Sequence, residues 1–124
     1  MSKRAGSVVV STLAAAAFLT AAPAASAASA YCSQTGDFCY SAKKRAGVVR
    51  LAFATFSFTG RVKACVTAPT GSKTCRSFLL RSRRGVHSFD VRWSAHFPNA
   101  GAGTYRVRFR NFGNVLGPAV TFTR

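Results

Sequence analysis

The sequence predicts an all-β fold: one small sandwich domain of about seven strands, preceded by a leader that is removed on export. Three observations carry this. From Cys39 onward apolar and polar residues alternate with period two, broken by Gly, Pro and Asn clusters at intervals of roughly 8 to 12 residues. The chain carries four cysteines, Cys32, Cys39, Cys65 and Cys75, an even number that in a short exported chain reads as two disulfides. The first thirty residues have the composition of a secretory leader: Lys3 and Arg4, the uncharged run "VVVSTLAAAAFLTAA", and the small-residue triplet "ASA" at Ala25–Ala27 and again at Ala28–Ala30.

Cleavage is expected after Ala27 or, as the preferred site, after Ala30, and the domain boundary is accordingly set at 1–30 for the leader and 31–124 for the exported domain. The apolar run falls short of the ~20 residues that span a bilayer. Tyr31, not a small residue, precedes Cys32, which argues against a lipid-anchored cysteine. No later segment of the mature chain is expected to cross a membrane. Removal of thirty residues from 124 leaves 94, enough for one small core and not two. The formal charge of +16 falls to +14 without Lys3 and Arg4, and Asp37 and Asp90 are the only carboxylate side chains. Such an imbalance makes polyanions the natural partners.

The strands are taken in order. The first is predicted near Phe38 to Lys43, the second in "VVRLAFATFSF" from Val48 to Phe58, and the third in "RVKACVT" from Arg61 to Thr67. The fourth is "TCRSFLLR", Thr74 to Arg81, the fifth "VHSFDVRW", Val86 to Trp93, the sixth "TYRVRFR", and the seventh the C-terminal "AVTFT". No helical stripe is predicted. Phe56 and Phe58 break the parity of the second strand, and a bulge near Thr55 that turns them inward is the preferred reading over an exposed stacking platform. Between the third and fourth strands, "APTGSK" centres on Pro and Gly, so these strands are expected to pair as a hairpin. That hairpin sets Cys65 opposite Cys75 and leaves Cys32 with Cys39. The larger ring contributes on the order of 2.5 to 3 kcal/mol. A zinc site is the competing reading, but these spacings lack paired CxxC knuckles and no histidine lies near them.

Alternation assigns the faces. Inward are placed Val49, Leu51, Phe53, Val62, Ala64, Val66, Phe78, Leu80, Phe89, Val91, Trp93, Tyr105, Val107, Phe109, Val120 and Phe122. Outward, on the parity of the Cys65–Cys75 bridge, fall Arg61, Lys63, Arg81, Arg106, Arg108 and Arg110, with Arg83 and Arg84 close by in "RSRRG".

The stretch "WSAHFPNAGAGTYRVRF" resembles the corner before the sixth strand of immunoglobulin-like and fibronectin-III-like domains of exported bacterial proteins. The resemblance implies an immunoglobulin-like sandwich with the third, fourth and sixth strands in one sheet. It also implies that the Tyr105 hydroxyl bonds back across the corner. Unlike antibody domains, this chain has no candidate for a disulfide between sheets. The whole chain is also similar to small exported proteins of GC-rich bacteria that share a "YCSQTGDFC"-like start and a "CVTAPTGSKTCRSF"-like hairpin, a likeness that implies fold and compartment and no activity.

Catalysis is not expected. His87 and Asp90 lie three apart on one predicted strand and so face opposite ways. His96 has Ser94 beside it and no acid to orient it, and a loop residue packed near Trp93 is the plainer reading. No cofactor or metal is expected. The expected function is that of a non-enzymatic secreted protein, possessing an arginine-rich sheet face that binds anionic envelope or extracellular polymers: cell-wall phosphate, acidic polysaccharide or extracellular DNA. The alternative is an interaction module or protease-inhibitor-like domain that presents the Ser82 to Gly85 loop. A membrane-disrupting role ranks third, because the apolar residues look committed to a core. The ordinary reading of the arginines is a solvated face favoured by GC-rich coding.

Overall fold

A computed structural model describes residues 28–124 of the chain. All but the last three residues of the expected leader lie outside them. Of the described residues 59 % are in strands and 4 % in helix, arranged as two antiparallel sheets. One sheet has the order β1–β2–β3–β7–β6, built from Ala30–Cys32, Phe38–Arg45, Val48–Thr55, Val86–Arg92 and Arg81–Arg83. The other has the order β10–β8–β4–β5, built from Val120–Thr123, Thr104–Asn111, Arg61–Thr67 and Lys73–Leu79, with β9 (Asn114–Val115) folded onto β8.

The inward faces share one buried cluster, to which all the predicted inward residues belong, with Val91 only half-buried. Its centre is aromatic: Phe109 lies 4.7 Å from Tyr40 and 5.7 Å from Phe53, and Phe78 lies 4.9 Å from Phe89, each pair spanning the two sheets. Offset and tilted ring pairs at such distances add to the apolar area that they bury. Burying each large side chain contributes about 1.5 to 3 kcal/mol.

Both expected disulfides are present, Cys32–Cys39 and Cys65–Cys75, each joining residues directly opposite in register, so none of the four cysteines is left for a metal. The "APTGSK" turn closes through the Ala68 N–H to Ser72 O and the Gly71 N–H to Ala68 O. Two disulfides fit an oxidising, extracellular type of compartment. Among the described residues no helix is long and apolar enough to cross a membrane.

Several boundaries differ from the sequence reading. The second predicted strand stops at Thr55, where the Ser57 N–H turns back to Thr55 Oγ1 and the Phe56 N–H donates to Asp37 O. Phe58 consequently packs on Phe53 at 5.9 Å, while Phe56 remains exposed. The fourth strand stops at Leu79: the Leu80 N–H donates to Gly60 O at 2.7 Å, and the chain crosses into the other sheet as β6. Trp93 closes the fifth strand as the first residue of a single helical turn, α1 (Trp93–His96), which carries it against Tyr105 and Phe122. The short strands β1, β6 and β9 were not predicted, since two or three residues display no period.

At one side the chain laces the sheets together. The Ala42 N–H of β2 donates to Ser29 O and the Thr121 N–H of β10 donates to Ala28 O.

Candidate anion-binding face

Alternation along β4, β5 and β8 turns one set of side chains into the core and leaves the other on the wet face of the β10–β8–β4–β5 sheet. Register places these outward residues in rungs. Thr67 stands between Arg106 and Lys73, Cys65 between Arg108 and Cys75, Lys63 between Arg110 and Ser77, and Arg61 beside Leu79. Neighbouring strands lie about 4.8 Å apart and alternate residues along a strand about 6.8 Å. Six cations therefore share a small area: Arg61, Lys63, Lys73, Arg106, Arg108 and Arg110.

No acid offsets them on that face. Asp90, on the other sheet, binds Arg50 Nε at 2.8 Å, and Asp37 accepts a hydrogen bond from Ser57 Oγ. All six cations are exposed except Arg110, which is half-buried; its Nε is buried without a hydrogen-bond acceptor among the described residues. Like charges directly opposed, as Lys63 and Arg110 are, destabilise a sheet by a few tenths of a kcal/mol per pair. Anionic groups arriving from solution relieve that repulsion, and guanidinium groups take phosphate or carboxylate bidentately.

Of the eight predicted polyanion-binding residues, five meet on this face: Arg61, Lys63, Arg106, Arg108 and Arg110. Arg81, Arg83 and Arg84 do not. Because the chain changes sheets at Leu80, Arg81 and Arg83 belong to β6, opposite Ser88 and Val86 of β7, and Arg84 occupies the turn after them. Lys73 joins the face although the sequence reading left it in the turn; its spacing of two from Cys75 was the available signal. Arg76, of the opposite parity at the sheet edge, donates to His96 O at 3.1 Å.

The bridge sits in the middle of the cations. Cys65 points outward yet is 3 % exposed, flanked in register by Cys75 and Arg108. On β2 of the other sheet, Tyr40 packs on Phe109 and donates its hydroxyl to Pro118 O at 2.5 Å, and its pKa is pushed up to about 12, chiefly by burial and then by Tyr31, with Arg108 pulling the other way. Gly117 (φ +142°) makes room for this arrangement, since a Cβ there would stand 2.8 Å from the Tyr40 hydroxyl.

The candidate chemistry elsewhere is sparse. His87 and Asp90 face opposite sides of β7; His87 Nδ1 pairs with Ser82 Oγ at 2.5 Å while Asp90 holds Arg50. His96 ends α1, exposed, with its ring edge-on to Phe78 at 5.0 Å. A hollow of about 410 Å³ lies on the outer side of the other sheet. It exists because Ala30, Cys32, Cys39, Ser41, Ala52, Ala54 and Ser88 are small, and Lys43 and Asp90 are the ionisable side chains at its rim, with Tyr31 and Tyr40 also lining it.

The corner before β8 is closed by Tyr105, whose hydroxyl donates to Gly101 O at 2.6 Å and accepts from the Ala100 N–H at 3.0 Å. Comparison of the chain with protein-family models, with curated proteins and with solved structures finds no match in any of the three.

Proposed function

We propose that the protein is a non-enzymatic, exported, immunoglobulin-like β-sandwich that attaches to anionic cell-envelope or extracellular polymers through the outer face of β10–β8–β4–β5. The observation that carries the reading is the gathering of six cations on one sheet face while both carboxylate side chains of the domain are engaged elsewhere. The immunoglobulin-like part is supported by the pairing of the third, fourth and sixth predicted strands in one sheet. It is supported also by the tyrosine that bonds back across the corner.

Attachment works by counterion release. With six contacts, affinity for a phosphate polymer falls about a thousandfold between 50 and 200 mM salt. The mature protein on a heparin or DNA column is expected to elute well above ~150 mM salt; elution below that overturns the reading. The mature chain is also expected to be retained by its own cell-wall fraction.

Export implies cleavage of a leader, and the pairing of Ala28 and Ser29 with β10 and β2 favours the site after Ala27 over that after Ala30. The intact mass of the secreted protein should therefore begin at Ala28. The inhibitor reading of the Ser82 to Gly85 loop has less in its favour. Arg84 (φ 52°) and Gly85 (φ 79°) make a tight two-residue turn, whereas a segment entering a protein cleft as an added strand is extended.

A further inference from the structure

Four large apolar side chains lie exposed: Phe56 at 64 %, Leu79 at 57 %, Phe112 at 88 % and Val115 at 43 %. Singly, such residues are ordinary. Their placement is not. The chain leaves β3 at Thr55 and enters β4 at Arg61, leaves β5 at Leu79, and reverses from β8 to β9 at Phe112 and Gly113. Antiparallel connectivity therefore brings all four to the same end of the two sheets. Among the described residues, the opposite end, with turns at 46–47, 68–72 and 93–103, exposes no large apolar side chain.

Phe112 is held out by its backbone. Its φ of 48° lies in the left-handed region, and with Gly113 at φ 82° it forms a two-residue turn at which Asn is the favoured first residue. The ring belongs neither to the core cluster nor to any aromatic pair among the described residues, so no contact within the domain accounts for an aromatic at a strained, projecting position. Beside it opens a notch of about 290 Å³ lined by Arg61, Lys63, Ser77, Arg110 and the turn itself. Register adds Leu79 next to Arg61 and Val115 next to Arg110. Arg83 and Arg84 stand on the neighbouring turn, and Asp37, the carboxylate side chain at this end, is bonded to Ser57.

From this placement we infer that this end of the domain docks on a bilayer surface bearing anionic headgroups, with Phe112, Leu79, Val115 and Phe56 entering the interface and Arg61, Lys63 and Arg110 taking headgroup phosphates. Apolar insertion and attraction of cations to a negative leaflet reinforce one another in surface binding. A soluble polyanion uses the cations and leaves the apolar residues idle. Single-stranded nucleic acid stacks on an aromatic ring, but Leu79 and Val115 offer no π face. The inference shares Arg61, Lys63 and Arg110 with the proposed polymer-binding face and adds the apolar end to them, so its test changes the apolar residues and the remaining arginines separately.

The test uses the mature chain and vesicles of equimolar phosphatidylglycerol and phosphatidylcholine, with pure phosphatidylcholine as comparison. Phe112→Trp supplies a reporter, and the single native Trp93, 2 % exposed, is the internal control. Blue-shifted emission of the reporter on anionic vesicles, with quenching by brominated acyl chains, is expected. The double change Phe112→Asn and Leu79→Thr should lower vesicle affinity at least tenfold, without unfolding, since Asn suits the turn. It should leave the heparin elution salt unchanged. Conversely, Arg106→Gln with Arg108→Gln should lower heparin retention and spare vesicle binding. An unshifted reporter at saturating anionic lipid, or a double variant that binds vesicles like the parent, overturns the inference. So does a loss confined to single-stranded oligonucleotide binding.

Discussion

The two outer faces of the molecule are made by the same alternation and differ in what the wet parity contains. On β10–β8–β4–β5 the outward positions are filled by long cations around a cystine. On β1–β2–β3–β7–β6 the second cystine is surrounded by Ala30, Ser41, Ala52, Ala54 and Ser88, and the cations of that face stand away from it, Lys43, Arg45, Arg50 and Arg92 toward one end, where Asp90 binds Arg50, and Arg81 and Arg83 on β6 at the edge. The contrast teaches that a basic composition does not by itself decide where charge gathers. Both layers carry cations; on β10–β8–β4–β5 they stand in adjacent rungs around the cystine with no acid among them, whereas on the other layer they are spread to one end and an edge, and one is paired.

The sharpest way to break the comparison is to remove charge from each face in turn. Arg106→Gln, Arg108→Gln and Arg110→Gln together should lower affinity for heparin or DNA several hundredfold near 0.1 M salt, since each contact contributes roughly eightfold there, and the salt slope should shrink by about 2.7. The matching change of Lys43, Arg50 and Arg92 to Gln should cost less than threefold in the same titration. The bridges come next. Cys65→Ala with Cys75→Ala should lower stability by about 3 kcal/mol in urea unfolding, a little more than the Cys32–Cys39 pair, whose ring is shorter.

A smaller effect tests the layer behind the small-residue face. The Tyr40 pKa is raised on folding, so the native state holds its proton more tightly than the unfolded chain, and stability is full below pH 10 and falls as pH rises toward 12. The loss should be on the order of 2 to 3 kcal/mol, and Tyr40→Phe, less stable at neutral pH through the lost bond to Pro118, should show a flatter alkaline limb. Last, Asp90→Asn should cost under about 1 kcal/mol, because the Arg50 and Asp90 side chains are 47 % and 59 % exposed.

Period two made the core readable in advance, because a half-buried strand must send alternate residues the same way. Tyr105, Val107 and Phe109 turn inward and Arg106 and Arg108 outward as their spacing requires. What spacing could not convey was where a ribbon changes layers. Nothing in "SFLLRSRRG" marks the crossing at Leu80, which is fixed by a bond to Gly60, twenty residues earlier, and so Arg81 was placed in the wrong sheet. Phe56 was similarly opaque: its outward course follows from the Asp37 carbonyl that holds its amide, a contact made by a separate hairpin. Phe112 carried a local signal, the "NFGN" turn, whose aromatic at an Asn-type position is visible once the turn is known.

The carbonyls of Ala28 and Ser29, just ahead of the edge strand β1, reach β10 in one layer and β2 in the other. Open ribbon margins are where strand-rich proteins recruit one another into fibres. Here Ala28 and Ser29 tie the two layers at one flank, and the opposite flank ends in a three-residue ribbon and in β5, which carries Lys73 and Arg76. Short edge ribbons, charges on the longer one and a chain segment laid across the layers are the devices by which a strand-rich domain resists edge-to-edge pairing.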